Sequence, residues 1–338
     1  MAVVKANAYG HGILEVAQVI ENSVDFFGVV CLFEARQLRK RGVKKPILIL
    51  NYTDKDSVEE AIKLDCRITV IDKQIVDTID RIASRKKKKV SVHVKVDTGM
   101  YRLGCSPEEA LDLIAHIDTL KHVVCEGVFT HFATSDERDL SFTQTQLMTF
   151  QNLLSDLENN NLRPPFVHCA NSAATLRMSE THYNLVRPGK ITYGVVPSDE
   201  FLIPFTPKPV LSLKTQVVQV REIEKGESVG YGRTFIAMKK TKMATLPVGY
   251  GDGFRRSPSS FGEVLVGGKR ALVIGRVSMD QTTIDISDVR NVSVGDEVVI
   301  IGKQGKEMIT AEDVATKLGT ISSEVISSIQ ERVTRVVV

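Results

Sequence analysis

No apolar run in these 338 residues approaches the roughly twenty that a membrane-spanning helix needs. The opening residues do not have the make-up of a secretory signal either, so the sequence reads as a cytoplasmic protein without direct membrane contact. Cysteine is sparse and odd in number. Cys31, Cys66, Cys105, Cys125 and Cys169 are scattered, mostly among apolar neighbours, which suits reduced core thiols and excludes a disulfide framework. None of the seven histidines stands at a zinc-like spacing from cysteine or carboxylate, so no metal is expected. Charge of one sign is lacking too: 44 Lys and Arg against 41 Asp and Glu leave a net +3, with no reason to expect nucleic acid or a membrane surface as partner. The local exception, Arg85-Lys86-Lys87-Lys88-Lys89, reads as a solvated loop between a helix and a strand. Repeats and low-complexity stretches are absent. What remains is an ordinary globular composition, 25% charged and 43% hydrophobic, long enough for one large domain and a smaller one.

The first two-thirds alternates short β-branched runs with amphipathic stretches. The strand-like runs are 3–5, 26–32, 46–50, 67–71, 90–96, 122–130, 165–169 and 183–187, and helical patterns at 34–41, 57–64, 73–85, 107–117 and 141–157 fill gaps between them. Eight strands with intervening helices predict an α/β fold, a (β/α)8 TIM-type barrel over 1–205. A proline-rich hinge, Pro204-Phe205-Thr206-Pro207-Lys208-Pro209, then leads into a mostly-β domain over 206–338. Its strands are expected at 210–220, 243–247, 263–266, 271–277, 281–286 and 297–301, with a helix at 311–318 and a second short one after Glu324.

Lys5 closes the run Ala2-Val3-Val4 and opens Ala6-Asn7-Ala8-Tyr9-Gly10-His11-Gly12, a buried-strand pattern feeding a glycine-punctuated turn. An unpaired buried ammonium is costly. A lysine so placed snorkels to water, is paired, or is held neutral as a nucleophile able to form a Schiff base with a carbonyl. In a (β/α)8 barrel the active site forms at the carboxyl ends of the strands. Lys5 closes the first strand, Lys95 and Asp97 the fifth, His131 the sixth, His168 the seventh and Arg187 the eighth. A lone strand-end histidine is commonly structural, but convergence of five strands on one rim points to chemistry.

The stretch from Ala2 to Gly12 resembles the cofactor-lysine motif of alanine racemases, enzymes that bind pyridoxal 5′-phosphate (PLP). Further motifs extend the resemblance over nearly the whole chain: His93-Val94-Lys95-Val96-Asp97-Thr98-Gly99-Met100-Tyr101-Arg102-Leu103-Gly104, Thr130-His131-Phe132-Ala133-Thr134, His168-Cys169-Ala170-Asn171-Ser172-Ala173-Ala174 and Val186-Arg187-Pro188-Gly189. Gly249-Tyr250-Gly251-Asp252-Gly253 and Gly275-Arg276-Val277-Ser278-Met279-Asp280-Gln281 continue it in the second domain.

This resemblance implies PLP as cofactor, supplying the electron sink that an amino-acid α-proton needs before it can leave. It makes Lys5 the cofactor-bearing lysine and the base on the D side, and Tyr250 the base on the L side. His168 and Arg187 resemble the linked pair between that tyrosine and the cofactor ring. Because a guanidinium keeps its proton, Arg187 is expected to leave the ring nitrogen unprotonated and favour reprotonation over side reactions. Tyr9, Ser172, Gly189 and Lys190 match the phosphate contacts, with Ser172 otherwise an ordinary helix cap. His131 is expected to stack on the ring, Arg102 to orient the phenolic oxygen and the substrate carboxylate, and Lys95 to be the lysine often carbamylated. Tyr250 and Met279 are expected to enter the site from the other subunit of a head-to-tail homodimer. The activity implied is interconversion of L- and D-alanine, supplying D-alanine for peptidoglycan.

Three departures from the family pattern stand out. Ser323 occupies the place of a tyrosine that touches the phosphate and narrows the pocket, and its loss removes a hydrogen bond worth roughly 0.5–1.5 kcal/mol. Lys190 replaces an apolar residue beside the phosphate-binding glycine; its ammonium either adds charge there or points away. Family chains also carry about thirty residues before the lysine motif and a longer tail, given usual domain sizes, so Met1 reads as an internal start or a fragment boundary. Alternative readings are a broader serine and alanine racemase, a truncated inactive racemase, a PLP-binding carrier, a decarboxylase of the same architecture, or the catalytic part of a membrane-tethered racemase. With Ser323 widening the pocket, a substrate panel is expected to show serine racemised beside alanine; turnover of alanine alone would contradict this.

Overall fold

The computed structural model describes residues 1–203, 205–256 and 262–338, so Pro204 of the expected hinge lies outside the described residues. Two compact units result: Met1–Ala8 with Ile13–Pro207, and Tyr9–Gly12 with Lys208–Val338.

In the first unit, β1 (Ala2–Val3), β2 (Phe27–Val29), β3 (Ile47–Tyr52), β4 (Cys66–Val70), β5 (Val90–Lys95), β6 (Val123–Phe129) and β7 (Phe166–His168) form one sheet in sequence order, every neighbouring pair parallel. Ile68, Val70, Val92 and Val94 are fully buried, as expected of strands covered on both faces. The five expected helices are present as Leu32–Arg41, Val58–Lys63, Lys73–Lys86, Pro107–Asp118 and Ser141–Asn159. Their starts follow local chemistry: Asp72 accepts the Ile75 N–H, and Ser106 and Glu109 form a reciprocal capping box around Pro107. Two further helices, Ile13–Ile20 and Ser172–Arg177, have no counterpart among the expected ones.

The eighth strand is a correction. Residues 183–187 form no ladder, because Pro188 has no N–H to continue one. The segment nevertheless lies between the sheet's ends: Val186 accepts from the Met1 amine at 2.9 Å, Pro188 accepts from Val3 N–H at 3.1 Å, and Arg187 N–H donates to Ala170 at 2.9 Å. An extended strap therefore takes the eighth position.

The strap also anchors the strand that presents Lys5. Val3 is gripped from a second direction by the Tyr193 hydroxyl, 2.8 Å from its carbonyl, while Val4 N–H reaches Gly28 at 2.8 Å. Beyond Lys5 the backbone is unusual. Ala6, Asn7, Ala8 and Tyr9 all have φ of 52–53°, a left-handed turn costing roughly 1–2 kcal/mol per residue for L-amino acids. Nearby hydrogen bonds offset that cost. Buried Glu34 accepts Ala6 N–H at 2.6 Å and Val30 N–H at 2.9 Å, and Asn7 Oδ1 accepts Ile13 N–H at 2.8 Å.

The second unit is mostly β. The expected strand over 210–220 is two strands, β8 (Leu213–Gln216) and β9 (Gln219–Ile223), interrupted where fully buried Val217 enters the core. The chain there changes sheets. β9 pairs with β10 (Thr241–Leu246), which also pairs with β12 (Thr282–Asp285), whereas β8 pairs with β13 (Glu297–Gln304) beside β11 (Glu263–Val266). Helices Ala311–Leu318 and Ser322–Ser327 close the unit, the first begun by a Thr310–Asp313 capping box and stopped at Gly319. Ser323 falls in the second helix.

Replacing Tyr193 by Phe leaves the Val3 carbonyl without this donor, which is expected to lower stability by about 1–3 kcal/mol. An unchanged denaturation midpoint would contradict the anchoring role.

Candidate active site

Arg187 is the hub of the first unit's rim. It is 4% exposed yet has no carboxylate among its hydrogen-bond partners. Nη1 donates to His168 Nδ1 at 2.9 Å and to the His168 carbonyl at 2.8 Å. Nη2 donates to the Thr130 and Cys169 carbonyls at 2.7 and 3.1 Å, with His131 Nδ1 at 3.1 Å. Nε–H meets no acceptor among the described residues. Burial lowers the guanidinium pKa to about 10, so it remains charged at neutral pH.

His168 is held from both sides. Its ring is fully buried and both nitrogens are engaged, Nδ1 by Arg187 and Nε2 by His93 Nδ1 at 2.9 Å. His131 is only partly buried, its Nδ1 is held by Arg187, and its Nε2 makes no bond among the described residues. Burial first, then the charge of Arg187, pushes both imidazoles well below their ordinary pKa, so both are neutral.

Around this hub lie the amines. Burial, reinforced by the charge of Arg102 and opposed by Glu34, lowers the Lys5 pKa. Burial followed by the charges of Arg102 and Arg187 lowers Lys95 to about 8. Asp97 spends its carboxylate on the loop, accepting from Gly99 and Tyr101 N–H at 2.9 and 3.1 Å, and Arg102 stands exposed on that loop.

A second cluster suits a phosphate. The cap of Ser172–Arg177 is Asn171, whose Oδ1 accepts the Ala174 N–H, and not Ser172. Ser172 Oγ instead gathers the N–H groups of Gly189 at 2.9 Å and Ile191 at 3.5 Å. Two amides and a hydroxyl at one spot are donors of the kind that hold phosphate oxygens. The Lys190 ammonium reaches the Pro197 carbonyl at 3.5 Å. Burial raises the Tyr9 phenol to about 12, which keeps it a donor at neutral pH. PLP needs an amine for its carbonyl, donors for its phosphate and a partner for its ring nitrogen. Lys5, the Ser172 cluster and the unmatched Arg187 Nε–H are groups of those three kinds.

The second unit has its own feature, a cavity of about 450 Å³ lined by Tyr231, Tyr250, Arg256, Ser278 and Met279. Its two loops are locked together: Tyr250 N–H donates to Ser278 at 3.1 Å and Gly251 N–H to Met279 at 2.9 Å. A Cβ on Gly249 would stand 2.3 Å from both carbonyl oxygens, so only glycine permits the approach. Arg332 bridges the loops, reaching Asp252 and Asp280 at 2.7 Å each. Tyr231, between Gly230 and Gly232, lines this cavity beside the expected Tyr250 and Met279.

The lowered Lys95 pKa has a sign for stability. The unfolded chain binds this proton up to about 10.5 and the folded chain only to about 8, so Lys95 opposes folding at low pH and the penalty is relieved as pH rises between those values. Lys95→Met is expected to flatten that rise in denaturation experiments; an identical slope would contradict the shift.

The family model described as alanine racemase, N-terminal domain, matches residues 1–197, and the model for the C-terminal domain matches residues 210–337. Alanine racemase 2 of Caldanaerobacter subterraneus subsp. tengcongensis is 43% identical over 338 residues, covering 99% of this chain and 87% of its own length. Among solved structures, an alanine racemase of Clostridium difficile 630 superposes with a TM-score of 0.95 at 36% identity, covering 98% of this chain and 87% of that one. A histidine racemase from Leuconostoc mesenteroides subsp. sake superposes with a TM-score of 0.92 at 30% identity, covering 100% and 91%. With both halves matched and such identity over almost all its length, the chain belongs to the alanine racemase family of enzymes.

Proposed function

We propose that the chain interconverts L- and D-alanine with PLP by two bases on opposite faces of the substrate. The observation that carries this reading is the buried, charged Arg187, whose Nε–H has no acceptor among the described residues, on the rim that bears Lys5. When bound, PLP supplies the electron sink for the α-carbanion, and an arginine partner keeps its ring nitrogen unprotonated. Lys5 carries the cofactor and, once released, exchanges a proton at Nζ on one face; its lowered pKa favours the neutral amine a base requires. Arg102 and Met279 bind the substrate, Arg102 through its carboxylate. Ser172, Gly189, Lys190 and Tyr9 hold the phosphate, and His131 lies against the ring. Lys95, as the neutral amine, adds carbon dioxide, forming an N–C bond and releasing one amine proton to solvent, and so carries a carbamate.

The second base is a phenol from the carboxy-terminal unit of another copy in a head-to-tail homodimer. Two candidates face the cavity. Tyr250 was the sequence expectation; it is 41% exposed and its backbone is pinned to the Met279 loop, which suits a wall. Tyr231 is 69% exposed, which suits a residue that must reach another copy's rim. We assign the base to Tyr231 and the pocket wall to Tyr250 and Met279. Such a protein works in the cytoplasm and provides D-alanine for peptidoglycan. Ser323 admits larger side chains, a breadth supported by the histidine racemase among the structural neighbours.

Solvent-deuterium exchange tests the assignment. In Tyr231→Phe, α-proton exchange from L-alanine is expected to fall by about 100-fold or more while exchange from D-alanine persists. That asymmetry in Tyr250→Phe instead would return the role to Tyr250, and exchange intact in both variants would contradict a phenolic base. A strictly monomeric preparation working at full rate would contradict the composite site.

A further inference from the structure

Behind Arg187 runs a line of polar groups that neither the cofactor nor the substrate accounts for. His168 Nε2 lies 2.9 Å from His93 Nδ1, and His93 Nε2 lies 3.2 Å from Glu126 Oε2. Arg67 Nε is 3.1 Å from that same oxygen, and Arg67 stands near the amino end of its strand. Both imidazoles are 0% exposed. Their planes are fixed by stacking, His168 on Phe129 at 4.7 Å and 7°, His93 parallel to Phe166 at 6.4 Å and 10°. Room for the line is built into the backbone. His93 and Gly127 are paired across β5 and β6, and a Cβ on Gly127 would stand 2.4 Å from His93 Nδ1.

The direction of every proton in this line follows from one end. Arg187 Nη1 can only donate, so His168 Nδ1 must present a lone pair and its proton must sit on Nε2. His93 Nδ1 must then accept, which puts its proton on Nε2, facing the Glu126 carboxylate. Reversing either tautomer would set two N–H groups or two lone pairs face to face in a buried site. Glu126 is the acceptor that terminates the chain. Burial would raise its pKa, but the hydrogen bond from His93 and the charge of Arg67 hold it below the usual value.

We propose that His93 and Glu126 are positioning residues of the racemase reaction, forming with His168 a hydrogen-bond relay of fixed polarity that anchors the buried cation of Arg187. Arg187 has no carboxylate of its own, and the Glu126 charge reaches it through two neutral imidazoles. The relay holds the guanidinium at the angle that leaves its Nε–H for the cofactor ring nitrogen. Gly127 is the space that lets the relay exist. The link to turnover rests on the racemase reading above, whereas the polarity of the relay stands without it.

The experiment has two arms. In the full chain labelled with 15N-histidine, with and without PLP, both His93 and His168 are expected as Nε2–H tautomers with unprotonated Nδ1; a protonated Nδ1 on either would overturn the relay, whether or not the chain racemises alanine. In the holoenzyme, Glu126→Leu and Gly127→Ala are expected to lower kcat on the order of 10- to 100-fold with little change in KM, as a small misplacement of a reacting group does. Glu126→Gln, which keeps an acceptor for His93, is expected to retain most of the rate. Undiminished kcat in Glu126→Leu, or equal loss in the Leu and Gln variants, would overturn the positioning role.

Discussion

A fully charged arginine buried without a carboxylate beside it is the constraint on which the rest of the site depends. Isolated burial of a charge is among the costliest events in folding. Arg187 is tolerated because three backbone carbonyls and two imidazoles surround it. Those acceptors come from the ends of β6 and β7, so the sheet itself builds the guanidinium's socket. The two histidines around it are kept neutral by the same burial and charge. The field that empties them of protons also lowers Lys95, and together with Arg102 it makes this rim a place where amines give up protons easily.

The segment bearing Lys5 shows how strain and anchoring coexist at a site. Four consecutive non-glycine residues in the left-handed region are unfavourable, and backbone of this kind persists only where its surroundings over-determine it. Glu34 and Asn7 supply side-chain partners to the turn, while Tyr193 and the 186–188 strap hold the strand before it. Lys5 is thereby fixed between a gripped strand and a stiff turn.

Much of this was legible in the sequence. Strand and helix periods gave the barrel and the β domain, and glycine-punctuated motifs at strand ends gave Lys5, Lys95, His131, His168 and Arg187. Other features were hidden because they depend on long-range partners. The eighth strand reads as β by composition, yet Pro188 denies it a ladder. Residues 210–220 read as one strand because nothing local shows that Val217 enters the core and the chain changes sheets. The left-handed turn has no sequence signal of its own, since Ala6 and Ala8 are helix formers. The His93 partner of His168 is hidden for a similar reason: it lies 75 residues away in sequence. That Tyr231 shares a cavity wall with Tyr250 and Met279 is likewise a long-range fact, with nothing local to announce it.

The central claim is that Arg187 presents a hydrogen-bond donor to the ring nitrogen of PLP. The most direct measurement is the 15N chemical shift of ring-labelled PLP bound to the full chain. The account predicts an unprotonated nitrogen accepting a hydrogen bond, and a protonated, pyridinium-like shift would contradict it.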